Sequence, residues 1–225
     1  MRKSVVALVI GAALIGTAAN ARDGAAYIGF EGGGSVGSGP QIDVGTTQNA
    51  AQLETDSNWG AGFLLGYDFG SFRIEAEASR NTSNQQQLVA NGTFDADPVS
   101  TGTQAFASVS GDVNSRSFML NAVYDYGGED GVAVYGGLGL GVNRTAIDTK
   151  IAGVATPLYA DRDNGFAWQL LAGARLPVND TLELGVKYRL FNAGGIDLDS
   201  AIGAPATASF TSHSVLATLT INFGG

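Results

Sequence analysis

Cysteine is absent from the 225 residues, so neither a disulfide framework nor a lipoprotein anchor can form. Basic residues are scarce, 12 against 21 acidic, for a formal net charge of −9. Nucleic-acid binding needs a concentrated basic surface, and that partner is excluded. Histidine occurs once, at position 213. After residue 21 no stretch approaches the roughly 18 consecutive apolar residues of a spanning helix, so no later segment can cross a bilayer in that form. Glycine is abundant instead, at 33 residues, which opposes helix and suits strands that twist sharply around a narrow interior.

What is present begins with a leader. Arg2 and Lys3 precede an apolar run from Val5 to Ile15 and then Ala19-Asn20-Ala21, the pattern of a secretory signal peptide over residues 1–21. The run falls short of the roughly 20 residues of a membrane anchor. Cleavage leaves residues 22–225 as one domain with 10 basic and 21 acidic residues, since Arg2 and Lys3 are lost.

Apolar and polar residues then alternate in eight segments. Phe72, Ile74, Ala76 and Ala78 share one face, and Arg73, Glu75, Glu77 and Ser79 the other, a period of two that leaves no helical stripe. The spacing predicts strands at Ala25–Val36, Asn58–Phe69, Ser71–Thr82, Val113–Asp125, Val132–Thr145, Gly165–Val178, Thr181–Asn192 and Phe210–Phe223. Connections after the second, fourth and sixth are tight: Gly70, Tyr126–Gly131 and Asn179-Asp180. Connections after the odd strands are long and polar: Gly37–Ser57, Ser83–Asp112, Ala146–Asn164 and Ala193–Ser209. Short turns at one end and long loops at the other predict an all-β fold, an eight-stranded antiparallel up-and-down transmembrane β-barrel with both termini in the periplasm.

Aromatic residues sort by depth in that arrangement. Trp59, Phe118, Phe166, Trp168, Tyr188 and Phe210 fall near the outer ends of strands, and Tyr67, Phe69, Phe72, Tyr124 and Phe223 near the inner ends. Two such belts are a signature of lipid contact, because an amphipathic ring prefers the headgroup level. Between them one face carries Phe63, Leu65, Ile74, Leu120, Leu138, Leu140, Leu170, Leu184, Val186, Leu219 and Ile221. The other face carries Glu31, Asp68, Arg73, Glu75, Glu77, Asn121, Asp125, Gln169, Arg175, Glu183, Lys187 and Arg189, a charged lumen. Arg116 is the exception: its phase sends it outward, near the outer end, where the side chain reaches headgroups.

The leader, the eight segments, the belts and the C-terminal Ala217-Thr218-Leu219-Thr220-Ile221-Asn222-Phe223 together resemble the small outer-membrane β-barrel family of opacity-type surface proteins and the barrel domain of outer membrane protein A. The resemblance covers essentially the whole mature chain and speaks to architecture more than activity. It implies a cell outer-membrane location in a Gram-negative envelope, with outer-membrane lipid, lipopolysaccharide and the barrel-assembly machinery as partners. In such families a terminal aromatic residue is the assembly signal, a role that falls to Phe223; this chain departs by adding Gly224 and Gly225 after it.

Glu31, Arg73, Glu75, Glu77, Arg175, Glu183, Lys187 and Arg189 are the dense charged constellation. An eight-stranded lumen is barely wide enough for its side chains, so opposite charges are expected to pair and plug it. The alternative is a narrow porin-like ion path in which the pairs exchange partners. A third reading, a lipid-modifying enzyme, finds no support at His213: Ser212 and Ser214 flank it, a strand sends adjacent residues to opposite faces, and position 215 is Val. No catalytic residue, metal site or cofactor is expected. The loops hold Asp43, Glu54, Asp56, Asp95, Asp97, Asp112, Asp148, Asp161, Asp163, Asp197 and Asp199, against Lys150 and Arg162. Asp161-Arg162-Asp163-Asn164-Gly165 lacks the spacing of a Ca²⁺ loop, which favours solvated charge. Gly136-Gly137-Leu138-Gly139-Leu140-Gly141 precedes no helix and no lysine, so it reads as inward glycines making room for long charged side chains rather than as a phosphate loop. The expected function is therefore that of a monomeric surface antigen: a barrel displaying acidic loops for envelope integrity or adhesion, with room for an extracellular ligand.

Overall fold

The computed structural model describes residues 24–44, 47–55, 58–90, 104–126, 131–151, 159–198 and 206–223, so the predicted leader and the pair Gly224-Gly225 lie outside the described residues. The described chain forms strands β1 (Ala25–Val44), β2 (Thr47–Thr55), β3 (Asn58–Asp68), β4 (Phe72–Ala90), β5 (Gln104–Tyr126), β6 (Ala133–Ile151), β7 (Tyr159–Pro177), β8 (Leu182–Leu198) and β9 (Ala206–Phe223). All pairings are antiparallel, and β9 returns to β1 along Ala26↔Phe223 through Val44↔Ala206, which closes the sheet.

Nine strands make eight columns. β3 pairs with β1 and β4 near the turn end, and β2 pairs with the same two strands nearer the rim, through Ile42↔Ala51 and Leu53↔Leu88. Both run in the same direction, so β2 and β3 are two parts of one descending column. The expected long loop over 37–57 is thereby corrected: most of it is strand. The strands bordering the other three long connections also run further towards the rim than the alternation predicts. Beyond the bilayer neither face of a hairpin meets hydrocarbon, so backbone pairing continues without an apolar face to announce it.

One register row shows how tightly the barrel is wound. Asp68 pairs with Arg73, and the row continues through Val123, Gly137, Leu171, Arg189, Ser214 and Ser35 to Asn58. It leaves the β3 column at residue 68 and returns at residue 58, a shear of 10. For eight strands that shear tilts each by about 40° and leaves an interior that side chains can fill.

The turn end is fixed by local chemistry. Gly70 has φ +98°, a left-handed value that favours glycine, and its N–H donates to Asp68 Oδ1 at 2.8 Å. Between β7 and β8, Asn179 Oδ1 accepts from the backbone of Thr181 (2.9 Å) and Leu182 (2.8 Å). The apolar face is outside as expected: Leu120, Leu138, Leu140, Leu170, Leu184 and Val186 are all exposed. So are the aromatics Trp59, Phe118, Phe166, Trp168 and Tyr188 towards the rim, and Phe69, Phe72, Tyr124 and Phe223 towards the turns. Phe210 does not belong to the outer belt. It lies on the inward parity of β9 and packs on Phe191, ring centroids 5.8 Å apart.

Candidate functional site: a charged lumen with crossing ion pairs

Each residue assigned to the lumen by alternation is found there. Glu31, Asp68, Arg73, Glu75, Glu77, Asn121, Asp125, Gln169, Glu183, Lys187 and Arg189 are buried, and Arg175 retains 12 % side-chain exposure at the turn end. The charges form two groups at different heights.

Nearest the turns, two arginines share one carboxylate. Arg73 donates from Nε and Nη2 to the two oxygens of Asp125, at 2.6 and 3.1 Å, a bidentate fork. Its Nη1 reaches Glu75 Oε1 at 2.9 Å. Arg175 then joins Asp125 (3.3 Å), Glu183 (3.2 Å) and Asp68 (3.6 Å). Tyr27 donates to Glu75 at 2.7 Å, and the Arg73 guanidinium lies over the Tyr27 and Tyr135 rings at 5.7 and 5.0 Å.

At mid-height Glu31, Glu77, Lys187 and Arg189 form a quartet in which each cation meets both carboxylates. Lys187 pairs with Glu31 and lies 3.7 Å from Glu77; Arg189 Nη1 lies 3.3 Å from Glu31 and 3.0 Å from Glu77. β4 and β8 stand four columns apart in a ring of eight, so the Glu77 contacts cross the full lumen. Asn121 and Gln169 hold Glu77 Oε2 from the side with donors at 3.0 and 3.1 Å. A buried charge pair is tolerable when its remaining lone pairs are occupied in this way.

Towards the rim the lumen changes character. Ser79 and Ser117 hydroxyls lie 2.6 Å apart, and Ser115 donates to Asn143, which donates to Thr145. Beside them Met119, Ala167, Phe191 and Ala193 form a buried apolar cluster capped by Phe210. Alternation alone places Tyr27, Met119, Tyr135 and Phe191 inward, yet their apolar or aromatic character obscures them in a search for charge. The inward glycines are also corrected in part. A Cβ on Gly137, Gly139 or Gly141 would strike Val123, Asn121 with Gln169, or Met119, none of them charged. Relief for a charged side chain comes from Gly62, whose Cβ would stand 2.8 Å from Glu31 Oε1.

His213 is exposed on the outer wall, where its Nδ1 and the Tyr188 hydroxyl lie 2.7 Å apart, while Ser214 is buried in the lumen. Among the acidic loop residues, Asp56, Asp95, Asp97 and Asp199 lie outside the described residues.

Residues 5–223 match the model of the outer membrane protein beta-barrel domain. The chain is 25% identical over 149 residues to outer membrane protein PagN of Salmonella typhimurium, covering 64% of this chain and 61% of PagN. The chain thus spans less than two thirds of that relative. Among solved structures, Neisserial surface protein A superimposes with a TM-score of 0.55 at 15% identity, over 89% of this chain and 100% of that one. OprG from Pseudomonas aeruginosa gives 0.53 at 16%, over 91% and 99%. These two likenesses concern the fold. With closure into eight columns, outward hydrocarbon and a family match across nearly its whole length, the chain belongs to the outer membrane protein beta-barrel domain family, as a small eight-stranded barrel of the outer membrane.

Proposed function

We propose that this protein is a non-catalytic, non-conducting surface barrel: a rigid support that presents its rim hairpins, with their acidic residues, outside the cell. The observation that carries this reading is the quartet of Glu31, Glu77, Lys187 and Arg189, which joins opposite walls while each side chain is no more than 3 % exposed. Ions would have to displace paired, dehydrated charges there and then pass the Phe191 cluster, so the narrow channel ranks second. In this reading the leader directs export and is removed, both termini face the periplasm, and Phe223 serves as the assembly signal. The similarity to an outer membrane protein, PagN, agrees with a place in the outer membrane, and a rigid barrel that holds its rim hairpins outside the cell suits adhesion or envelope integrity. The test is single-channel recording of the refolded protein in planar bilayers, with folding verified by its heat-dependent gel mobility. A folded barrel without conductance is the expected result; a reproducible conductance whose ion preference inverts with Glu75→Lys or Lys187→Glu would replace this reading with the channel.

A further inference from the structure

Three arginines stand side by side on the outer wall. Arg80 on β4 is the register partner of Arg116 on β5, which is in turn the partner of Arg144 on β6. All three are exposed and share the outward parity of their strands. They occupy the rung immediately rimward of Phe63, Ala78, Phe118, Val142 and Phe166, where Phe118 and Phe166 are 63 % and 61 % exposed. On β3 the exposed Trp59 lies one rung further out, so the row sits within the outer aromatic belt at the headgroup level, the depth at which a lipid-facing arginine is tolerated.

Like charges directly opposite on neighbouring strands repel, and here two such pairs share a member. Arg80 donates to Asn114 Oδ1 at 3.0 Å, and the ion pairs among the described side chains include none of the three. A chain with only 12 basic residues spends three of them on one rung. Adjacent strands are about 4.8 Å apart, so three guanidinium forks span roughly 10 Å, a reach suited to phosphate oxygens. Ala61, the register partner of Arg80, and Ala78 one rung below leave a shallow groove between Phe63 and Phe118, bordered by Arg80 and Arg116. An apolar groove with a cationic border matches an acyl chain under its phosphorylated headgroup.

We infer that Arg80, Arg116 and Arg144 bind the phosphate of a phosphorylated glycolipid in the outer leaflet, with one of its acyl chains in the groove between Phe63 and Phe118. The site gives the expected contact with outer-membrane lipid a specific address, and it rests on the proposed function only for which leaflet the rim faces.

The experiment uses the full mature barrel, refolded in a zwitterionic detergent, and measures binding by native mass spectrometry and by the shift in thermal midpoint. Four probes are added in turn: diphosphorylated lipid A, its dephosphorylated form, phosphatidylglycerol and inorganic phosphate. Diphosphorylated lipid A is expected to give a one-to-one adduct and raise the midpoint. Arg80→Gln, Arg116→Gln and Arg144→Gln combined should weaken that adduct by at least about tenfold, the loss of one or more charged hydrogen bonds. Without lipid the triple variant should be as stable as the wild type or more so, because repulsion is removed; should it fail to fold, Arg116→Gln and Arg116→Lys supply the same comparison. Equal binding of the dephosphorylated lipid, or an adduct untouched by the substitutions, would overturn the site. Inorganic phosphate binding as tightly as the lipid would overturn the lipid assignment. Neither readout involves conductance or orientation, so failure here is distinct from failure of the proposed function.

Discussion

Arg189 and Glu77, 112 residues apart in the chain, meet across the lumen with Nη1 3.0 Å from Oε1. Their strands are diametrically opposed, so this contact ties one wall to the other, whereas Arg73 and Asp125 tie only neighbours. It also explains why charge is retained in a space that apolar residues could fill: an ion pair has one preferred partner set and fixes which strands face each other.

Removing one member of the quartet should expose that design. Glu77→Gln leaves Lys187 and Arg189 sharing Glu31 alone, an excess of buried positive charge, and should cost about 3–5 kcal/mol. Adding Lys187→Met restores the balance and should recover most of the loss. Urea unfolding in lipid vesicles, followed by fluorescence of Trp59 and Trp168, measures both. Equal stability of the single variant and the wild type would show that the quartet contributes nothing to the fold.

The apolar cluster predicts a separate behaviour. Phe191 is 2 % exposed and Phe210 closes over it. Phe191→Ala should destabilise the barrel by about 3–5 kcal/mol through lost contact and residual cavity. It should remain without conductance in planar bilayers, because the crossing ion pairs still close the lumen below. Conductance in this variant would make Phe191 the gate and the quartet a permeable filter.

Most of this barrel was legible in the alternation. Arg73, Glu75 and Glu77 against Ile74 and Ala76 specify both faces of one strand, and the same logic gives the inward phase to the charges that are buried among the described residues. Phe210 escapes it because an aromatic residue near a strand end has two stable locations, headgroup and packed lumen, and depth alone does not choose. The strand β2 escapes it for a different reason: in Thr47–Thr55 no apolar face is required by lipid, so pairing is set by the neighbouring strands rather than by the segment itself. The arginine row is visible only in register. Arg80, Arg116 and Arg144 are far apart in sequence, and nothing in their local segments reports that they share a rung.

At the turn end the backbone makes a testable demand. Gly70 at φ +98° joins β3 to β4, and its N–H is held by Asp68. Gly70→Ala places a Cβ where the left-handed conformation disfavours one and should cost about 1 kcal/mol. Asp68→Asn keeps an acceptor for that N–H but removes a charge facing Arg175, so its loss should come from the ion pair rather than the turn. A double variant with Arg175→Gln separates the two: the Asp68→Asn penalty should shrink there, while the Gly70→Ala penalty should not.

Gly32 and Gly62 give the sharpest internal control, because they lie opposite each other's strand in register neighbourhoods only one residue apart and face opposite sides of the wall. A Cβ at Gly62 would enter the lumen 2.8 Å from Glu31 Oε1 and 2.9 Å from its Cγ. Glu31 cannot retreat without loosening Lys187 and Arg189, so Gly62→Ala should cost about 1–3 kcal/mol as an overpacked site. A Cβ at Gly32 meets nothing nearer than the Gly60 carbonyl at 3.7 Å. Gly32→Ala should therefore be neutral or stabilising by about 0.4–1 kcal/mol, through the reduced freedom of the unfolded chain. Both variants make the same chemical change in adjacent strands, and urea midpoints measured side by side isolate the packing of Glu31 from any general effect of glycine. If the two shift alike, the lumenal glycine is serving strand twist rather than space for the carboxylate.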